Sequence, residues 1–351
     1  MRLTKPITVW KAIALCASLA AVQATAQIAP ATAPAAPAAP AAPTTPATPA
    51  TPAAPTTPAA PATPAAPPSV NSPIRMKVSA GDLLSAESIL EIHKEQHGED
   101  NGYLEGMSWL ARGALLVGDS RKAHLYAADV RRRCDECVTK GATLEKDRWL
   151  ATALGASIEV EAQLLAQEKG KRQAAHYVRG ELARIAGPVS LRSRLNKRLN
   201  LLTLEGAPAP EIAVEDFLGE RPGSLASLRG KPLLLFVWAE WCADCRAQAA
   251  TLARVKKRYP SSGLQVVALT RYFDPDSARV VEKARVDSVW KAVYADVGDV
   301  PVVFSTASME RYGGSSTPTM VFIDRAGIVR WYTPTRLTEA ELDRAVAMIE
   351  R

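Results

Sequence analysis

The chain has 351 residues with 26 Pro, 47% hydrophobic residues, only 6% aromatics and a net charge of +7. No apolar run outside the first 26 residues approaches the roughly 18 of a spanning helix, and the Pro-rich region contains no Gly; the charged fraction is ordinary. A polytopic membrane protein, a collagen and a wholly disordered chain are therefore excluded. So is a nucleic-acid footprint, because no stripe of Lys and Arg interleaves with aromatics. The basic residues beyond position 74 are nearly balanced by acidic ones.

Arg2, Lys5 and Lys11 precede an apolar stretch over 12–22, and Ala24-Thr25-Ala26 supplies small residues. This pattern predicts a signal peptide over 1–26, cleaved after Ala26, and export to an oxidising compartment, most naturally the periplasm. Cys16 is a poor lipidation site because Leu15 stands where a small residue is needed. After cleavage no integral membrane span is expected, and four cysteines remain: Cys134, Cys137, Cys242 and Cys245.

Residues 27–74 carry no charge, and from Pro34 to Pro67 a proline falls at every third position among Ala and Thr. Polyproline II has three residues per turn, so this period lines the prolines along one edge. The segment has little to bury and is expected to be a disordered linker, extended at ~3.1 Å per residue. A stalk for a globular head and neutral low-complexity drift are both consistent with it.

Residues 75–205 read as an all-α helical-hairpin domain. Apolar periodicity predicts helices over 79–97, 103–117, 121–133, 144–167, 173–185 and about 191–202, punctuated at Gly98, Gly118-Asp119-Ser120, Gly170 and Gly187-Pro188. Gly118-Asp119-Ser120-Arg121-Lys122-Ala123 is similar to the turn of a tetratricopeptide repeat, but the 52-residue spacing to its faint echo at Gly170 is not that of tandem repeats. Such a domain would serve interaction, or simply cap its neighbour. Cys134 and Cys137 lie just past the third predicted helix. A second disulfide between them is expected. A zinc site completed by His93 and His97, a thiol relay and idle thiols are the alternatives.

Residues 206–351 alternate strands and helices. Strands are predicted over 233–238, 264–269, 289–295, 319–323 and 328–332, with helices over 246–259, 275–286, 305–312 and 339–349. The buried strand 233–238 runs directly into Ala239-Glu240-Trp241-Cys242-Ala243-Asp244-Cys245. A Cys at a helix N-terminus sees unpaired amide N–H groups and the positive end of the macrodipole, which stabilise thiolate, the nucleophile of disulfide exchange. Position makes Cys242 the attacking thiol and Cys245 the resolving one. Glu240 and Asp244 are expected to work against the thiolate. The region has no His, which excludes a Cys–His nucleophile.

Trp238 to Cys245 resembles the thioredoxin-fold active site. With Gly230-Lys231-Pro232, Gly206-Ala207-Pro208-Ala209-Pro210 and Ser316-Thr317-Pro318-Thr319, residues 206–351 resemble the exported TlpA/ResA-type thiol–disulfide oxidoreductases. The resemblance implies an α/β thioredoxin-like fold with a mixed central sheet and helices on both faces. It implies that Pro318 is cis and packs over the cysteine pair, and that Trp241, Thr317 and Pro318 contact substrate. It also implies an exported protein disulfide reductase with no cofactor and no metal, disulfide-containing protein clients and a membrane-bound electron donor. The alternative is a helical adaptor or docking protein whose thioredoxin-like head acts as an oxidant, isomerase or redox switch. Two positions depart from the family. Phe236 stands where thioredoxins carry a buried acid, and Ala243-Asp244 replaces their Gly-Pro, which leaves the redox potential and the direction of electron flow open. The peroxiredoxin segment Pro-x-x-x-Thr-x-x-Cys is absent.

Overall fold

The structure, a computed structural model, describes residues 70–259 and 262–350. The expected signal peptide and most of the expected linker lie outside the described residues. Residues 71–74, assigned to the linker from sequence, instead begin the first helix, because Ile74 and Val78 bury one helical turn apart.

Seven helices come first: α1 (Asn71–Ser79), α2 (Leu83–His97), α3 (Asn101–Leu116), α4 (Ser120–Thr139), α5 (Arg148–Lys169), α6 (Lys171–Arg184) and α7 (Val189–Thr203). Four of them start on an Asp whose carboxylate accepts a first-turn N–H. Asp82 takes that of Ser85 (3.1 Å), Asp100 that of Tyr103 (2.7 Å), Asp119 that of Lys122 (2.9 Å) and Asp147 that of Leu150 (2.9 Å). The helix predicted over 79–97 begins instead at Leu83, because Gly81 at φ +75° and the Asp82 cap separate it from α1, which periodicity did not predict. In the other direction, α4 does not stop at Arg133. The ion pairs Arg131–Asp135 and Arg132–Glu136, one turn apart, lie along its last two turns, so both cysteines are interior helical residues.

The sheet follows: β1 (Asp216–Leu218), β2 (Leu233–Val237), α8 (Ala243–Arg258), β3 (Gln265–Thr270), α9 (Arg279–Val293), β4 (Val302–Phe304), α10 (Thr306–Arg311), β5 (Thr319–Ile323), β6 (Val329–Thr333) and α11 (Glu339–Ile349). The strand order is β1-β4-β3-β2-β5-β6, with β2, β3 and β4 parallel and the other pairings antiparallel. Leu235 of β2 sits opposite Val267 of β3 and Val321 of β5. The period of two then divides the core. Leu234, Phe236, Val266, Ala268, Met320 and Phe322 bury against α8, α9 and α11. Leu233, Leu235, Val237, Val267, Leu269 and Val321 bury on the other face with Met309 and Tyr312. This is the thioredoxin-like arrangement, a mixed sheet with helices on both faces.

The strand predicted over 289–295 is instead the end of α9 and a 3-10 turn, Ala295–Val297. Trp290 and Tyr294 stack at 4.4 Å, one helical turn apart, a helical pairing that the apolar run concealed. The missed strands, β1 and β4, have three residues each, too few to display a period.

Helices and sheet share one compact unit and are joined through α7. Arg192 Nε donates to Glu310 (2.7 Å), Asn200 Nδ2 to the Arg311 carbonyl (3.0 Å) and Lys197 Nζ to Ser316 Oγ (3.1 Å). At Gly313, φ is +71° and a Cβ would stand 2.5 Å from Lys197 Cα, so only Gly fits. Buried Glu159 of α5 anchors α7 from behind, pairing with Arg194 (2.6 Å) and Lys197 (3.6 Å). Burial works to raise this carboxyl, but Arg194 and Lys197 overcome it and hold it down at about 2.

Replacing Glu159 by Gln would leave two half-buried cations unpaired, and is expected to destabilise the fold by about 3 kcal/mol in chemical denaturation at neutral pH. A depressed carboxylate stabilises above its ordinary 4.5 and ceases to do so as pH falls toward about 2. The difference between wild type and Glu159→Gln should therefore shrink over that acid window. A constant difference would show that the ion pair is not its source.

Candidate active site

Strand β2 delivers the chain to the site. Trp238 and Ala239 are fully buried beyond its end, and the backbone turns so that Cys242, at φ −75° and ψ 110°, is the N-cap of α8. Its sulfur accepts the Cys245 N–H at 3.1 Å, the service that Asp carboxylates perform at α2, α3, α4 and α5. Cys242 and Cys245 are joined as a disulfide. Cys245 is completely buried and Cys242 is 6% exposed, so the pair presents one sulfur, that of Cys242, to an incoming group.

The loop between α10 and β5 closes over this sulfur. The Thr317–Pro318 peptide bond is cis, and the Thr317 carbonyl oxygen lies 3.3 Å from Cys242 Sγ. Trp241 is 61% exposed beside the pair and meets Phe273 edge-on at 5.6 Å. Trp241, Cys242, Cys245, Thr317 and Pro318 thus come together, from segments some 75 residues apart.

The neighbouring carboxylates do not act on the sulfur as bare charges. Glu240 is buried and paired with Arg285 at 3.1 Å, and its backbone carbonyl accepts from Arg246 Nε (3.0 Å) and Nη2 (2.6 Å). Asp244 points into solvent, with Arg336 at 3.8 Å. The first-turn amide N–H groups and the helix dipole favour negative charge on a Cys242 thiolate. Arg285 was invisible to sequence reasoning because it lies 45 residues from Glu240, with no local pattern linking them. Beneath the pair, Phe236 packs 5.9 Å from Tyr294, and Tyr294 stacks on Trp290 and meets Trp238 edge-on. Burial pushes the Tyr294 phenol up, with Arg246 opposing, so it stays neutral.

Cys134 and Cys137 do not join this site, nor each other: both are free thiols in α4. The expected second disulfide is corrected here. The active pair gains its geometry from a capping Cys with extended backbone, whereas Cys134 and Cys137 are both held in helical backbone. Cys134 turns into the core, 4.0 Å from the Leu150 carbonyl, and burial, then Cys137 and Asp135, pushes its thiol up to about 12. Of the His residues offered for a zinc site, His93 is bonded to Asp100 (2.9 Å) and lies at a tilt 4.8 Å from His97, and no group of three or more His, Cys, Asp or Glu is drawn together among the described residues.

Residues 206–332 match the AhpC/TSA family. Over 143 residues the chain is 27% identical to the thioredoxin-like protein YneN of Bacillus subtilis (strain 168), covering 40% of this chain and 77% of YneN. It is 35% identical over 65 residues to the thiol-disulfide oxidoreductase ResA of the same organism, covering 18% of this chain and 36% of ResA. With the thiol:disulfide interchange protein DsbE of Tatumella citrea it shares 40% over 70 residues, 19% of this chain and 35% of that protein. The chain therefore spans about a third of the length of ResA and DsbE. A thioredoxin-family thiol:disulfide interchange protein from Chlorobium tepidum TLS is similar in structure, with 24% identity and a TM-score of 0.33 over 42% of this chain and 97% of the other. The family match does not reach α1–α7.

The two cysteine pairs should differ sharply toward alkylation. In the reduced native protein at about pH 8, iodoacetamide is expected to label Cys242 first and Cys134 only after denaturation. Peptide mass spectrometry along the time course reads this, and early labelling of Cys134 would contradict the burial argument.

Proposed function

We propose that this AhpC/TSA-type thioredoxin-like domain is the catalytic head of an exported protein disulfide reductase working through the Cys242/Cys245 dithiol. The observation that carries the reading is the Cys242 sulfur in the N-cap position of α8, beside the exposed Trp241 and under the cis Thr317–Pro318 loop. A structural staple has no use for a capping sulfur or an exposed Trp. The names of the relatives, a thiol-disulfide oxidoreductase and thiol:disulfide interchange proteins, support the same chemistry.

In the reduced protein the Cys242 thiolate attacks one sulfur of a client disulfide. The client S–S bond breaks, a mixed disulfide forms, and the departing client thiolate takes a proton from water. Cys245 then loses its proton and attacks Cys242 Sγ, releasing the second client thiolate and closing the Cys242–Cys245 disulfide. Two electrons pass from the dithiol to the client. With Phe236 in place of an acid, water takes the Cys245 proton. A membrane-bound thiol donor restores the dithiol by the reverse exchange. The signal-peptide pattern over 1–26 supports periplasmic residence. We assign this chemistry to a domain over 206–351, with the preceding helices α1–α7 presenting clients to it.

Replacing Cys242 by Ser is expected to reduce turnover of a protein disulfide to the uncatalysed background. Replacing Cys245 by Ser should instead accumulate mixed disulfides with clients, visible as adducts on non-reducing gels. Retained turnover in Cys242→Ser would refute the assignment.

A further inference from the structure

A cleft of about 670 Å³ lies between the helices and the redox site, with Trp241, Phe273 and Thr317 on one wall. Its other walls are strongly basic. Arg75, Arg112 and Arg148 come from the first helices, Arg194 and Lys197 from α7, and Arg271 follows β3; only Glu105 and Glu145 oppose them in the lining. Arg194 and Lys197 are partly answered by Glu159. Arg75, Arg112, Arg148 and Arg271 have no ion pair with a described carboxylate, and Arg112 Nε and Nη2 are buried with no hydrogen-bond partner. Buried guanidinium atoms left unsatisfied are costly unless something anionic completes them. The Arg112 guanidinium is pulled down to about 9, first by burial and then by neighbouring Arg194.

Aromatic faces hold these cations in place. Arg75 and Arg112 both lie over Trp109, at 4.8 and 4.1 Å, and Arg271 lies over Phe273 at 4.3 Å. Phe273 in turn meets Trp241. The charged wall therefore runs without a break to Trp241 and Thr317, the two residues that flank the Cys242 sulfur. Fixed cations in a concave, partly dry cleft focus potential and select partners by charge.

We infer that this cleft docks an acidic segment of the client polypeptide, with the client's disulfide delivered to Cys242 at its edge. The inference rests on the disulfide-reductase reading above and names the substrate class. A polypeptide suits the shape better than a small anion, because the basic residues are spread along a cleft that runs from α1 to the Thr317 loop.

The test uses the full chain and a short labelled peptide carrying about four Glu residues, its Cys replaced by Ser so that binding is read without exchange. Fluorescence anisotropy should show it binding about tenfold tighter than the same peptide with Gln for Glu, and weakening about tenfold between about 50 and about 300 mM salt. The exposed pair Arg75→Gln/Arg148→Gln should abolish most of that preference. Equal binding of the two peptides by wild type would overturn the inference, whatever the variant does. Inorganic phosphate displacing the peptide at its own dissociation constant's concentration would overturn it in favour of a small-anion site. Turnover of uncharged hydroxyethyl disulfide, measured in parallel, tests the dithiol reading alone and is independent of either binding result.

Discussion

The site depends on one hydrogen-bonding duty. A helix that begins at Ala243 needs an acceptor for its first free amides, and the chain assigns that duty to sulfur rather than to the carboxylate it uses at α2, α3, α4 and α5. A carboxylate in that position is satisfied as an anion. A thiol there is drawn toward the anion, because only thiolate returns the full electrostatic gain. Capping the helix and activating the nucleophile are thus one interaction. The turn that makes it possible comes from β2, a strand buried on both faces, so the sulfur's place is set by the core of the sheet.

The other half of the site is set from the opposite direction. The Thr317–Pro318 loop is held by β5 on one side and by α7 on the other, where Lys197 reaches Ser316 and its backbone leaves room only for Gly at 313. The helices are therefore more than a neighbour of the sheet. They fix the segment whose carbonyl faces Cys242, and they supply most of the basic wall beside it. Catalytic geometry and client selection would then be coupled through a single helix, anchored by Glu159.

How much of this was legible in the sequence follows from range. The CxxC motif, the strand before it, the helix after it and the Thr-Pro loop are local patterns, and they locate the redox pair without a structure. Of the helix starts marked by Asp, the one at Asp119 was readable, whereas the helices that Asp82 and Asp147 cap begin four residues beyond the starts that periodicity suggested. What failed had too few residues or too much apolar character. The three-residue strands β1 and β4 show no period. The run from Val289 to Ala295 reads as strand because its helical pairing, Trp290 on Tyr294, sits among apolar neighbours. The basic cleft was beyond reach altogether, since its arginines are drawn from positions 75 to 271 and each looks like an ordinary solvated charge in its own segment.

The two cysteine pairs show why spacing alone does not define chemistry. Cys134–Cys137 and Cys242–Cys245 have the same separation, both are associated with helices, and both lie near acidic residues. The first pair is interior to α4, where every nearby amide already serves a carbonyl one turn back, so no donor is left for a thiolate and burial drives the Cys134 thiol up. The second pair begins its helix, where amides are unpaired and the capping residue keeps an extended backbone. Moving an identical motif by a few residues along a helix exchanges a packing thiol for a nucleophile. The physical variable is the register of the cysteines against the helix N-terminus, and α4 ends six residues later than periodicity suggested because its ion pairs carry it through.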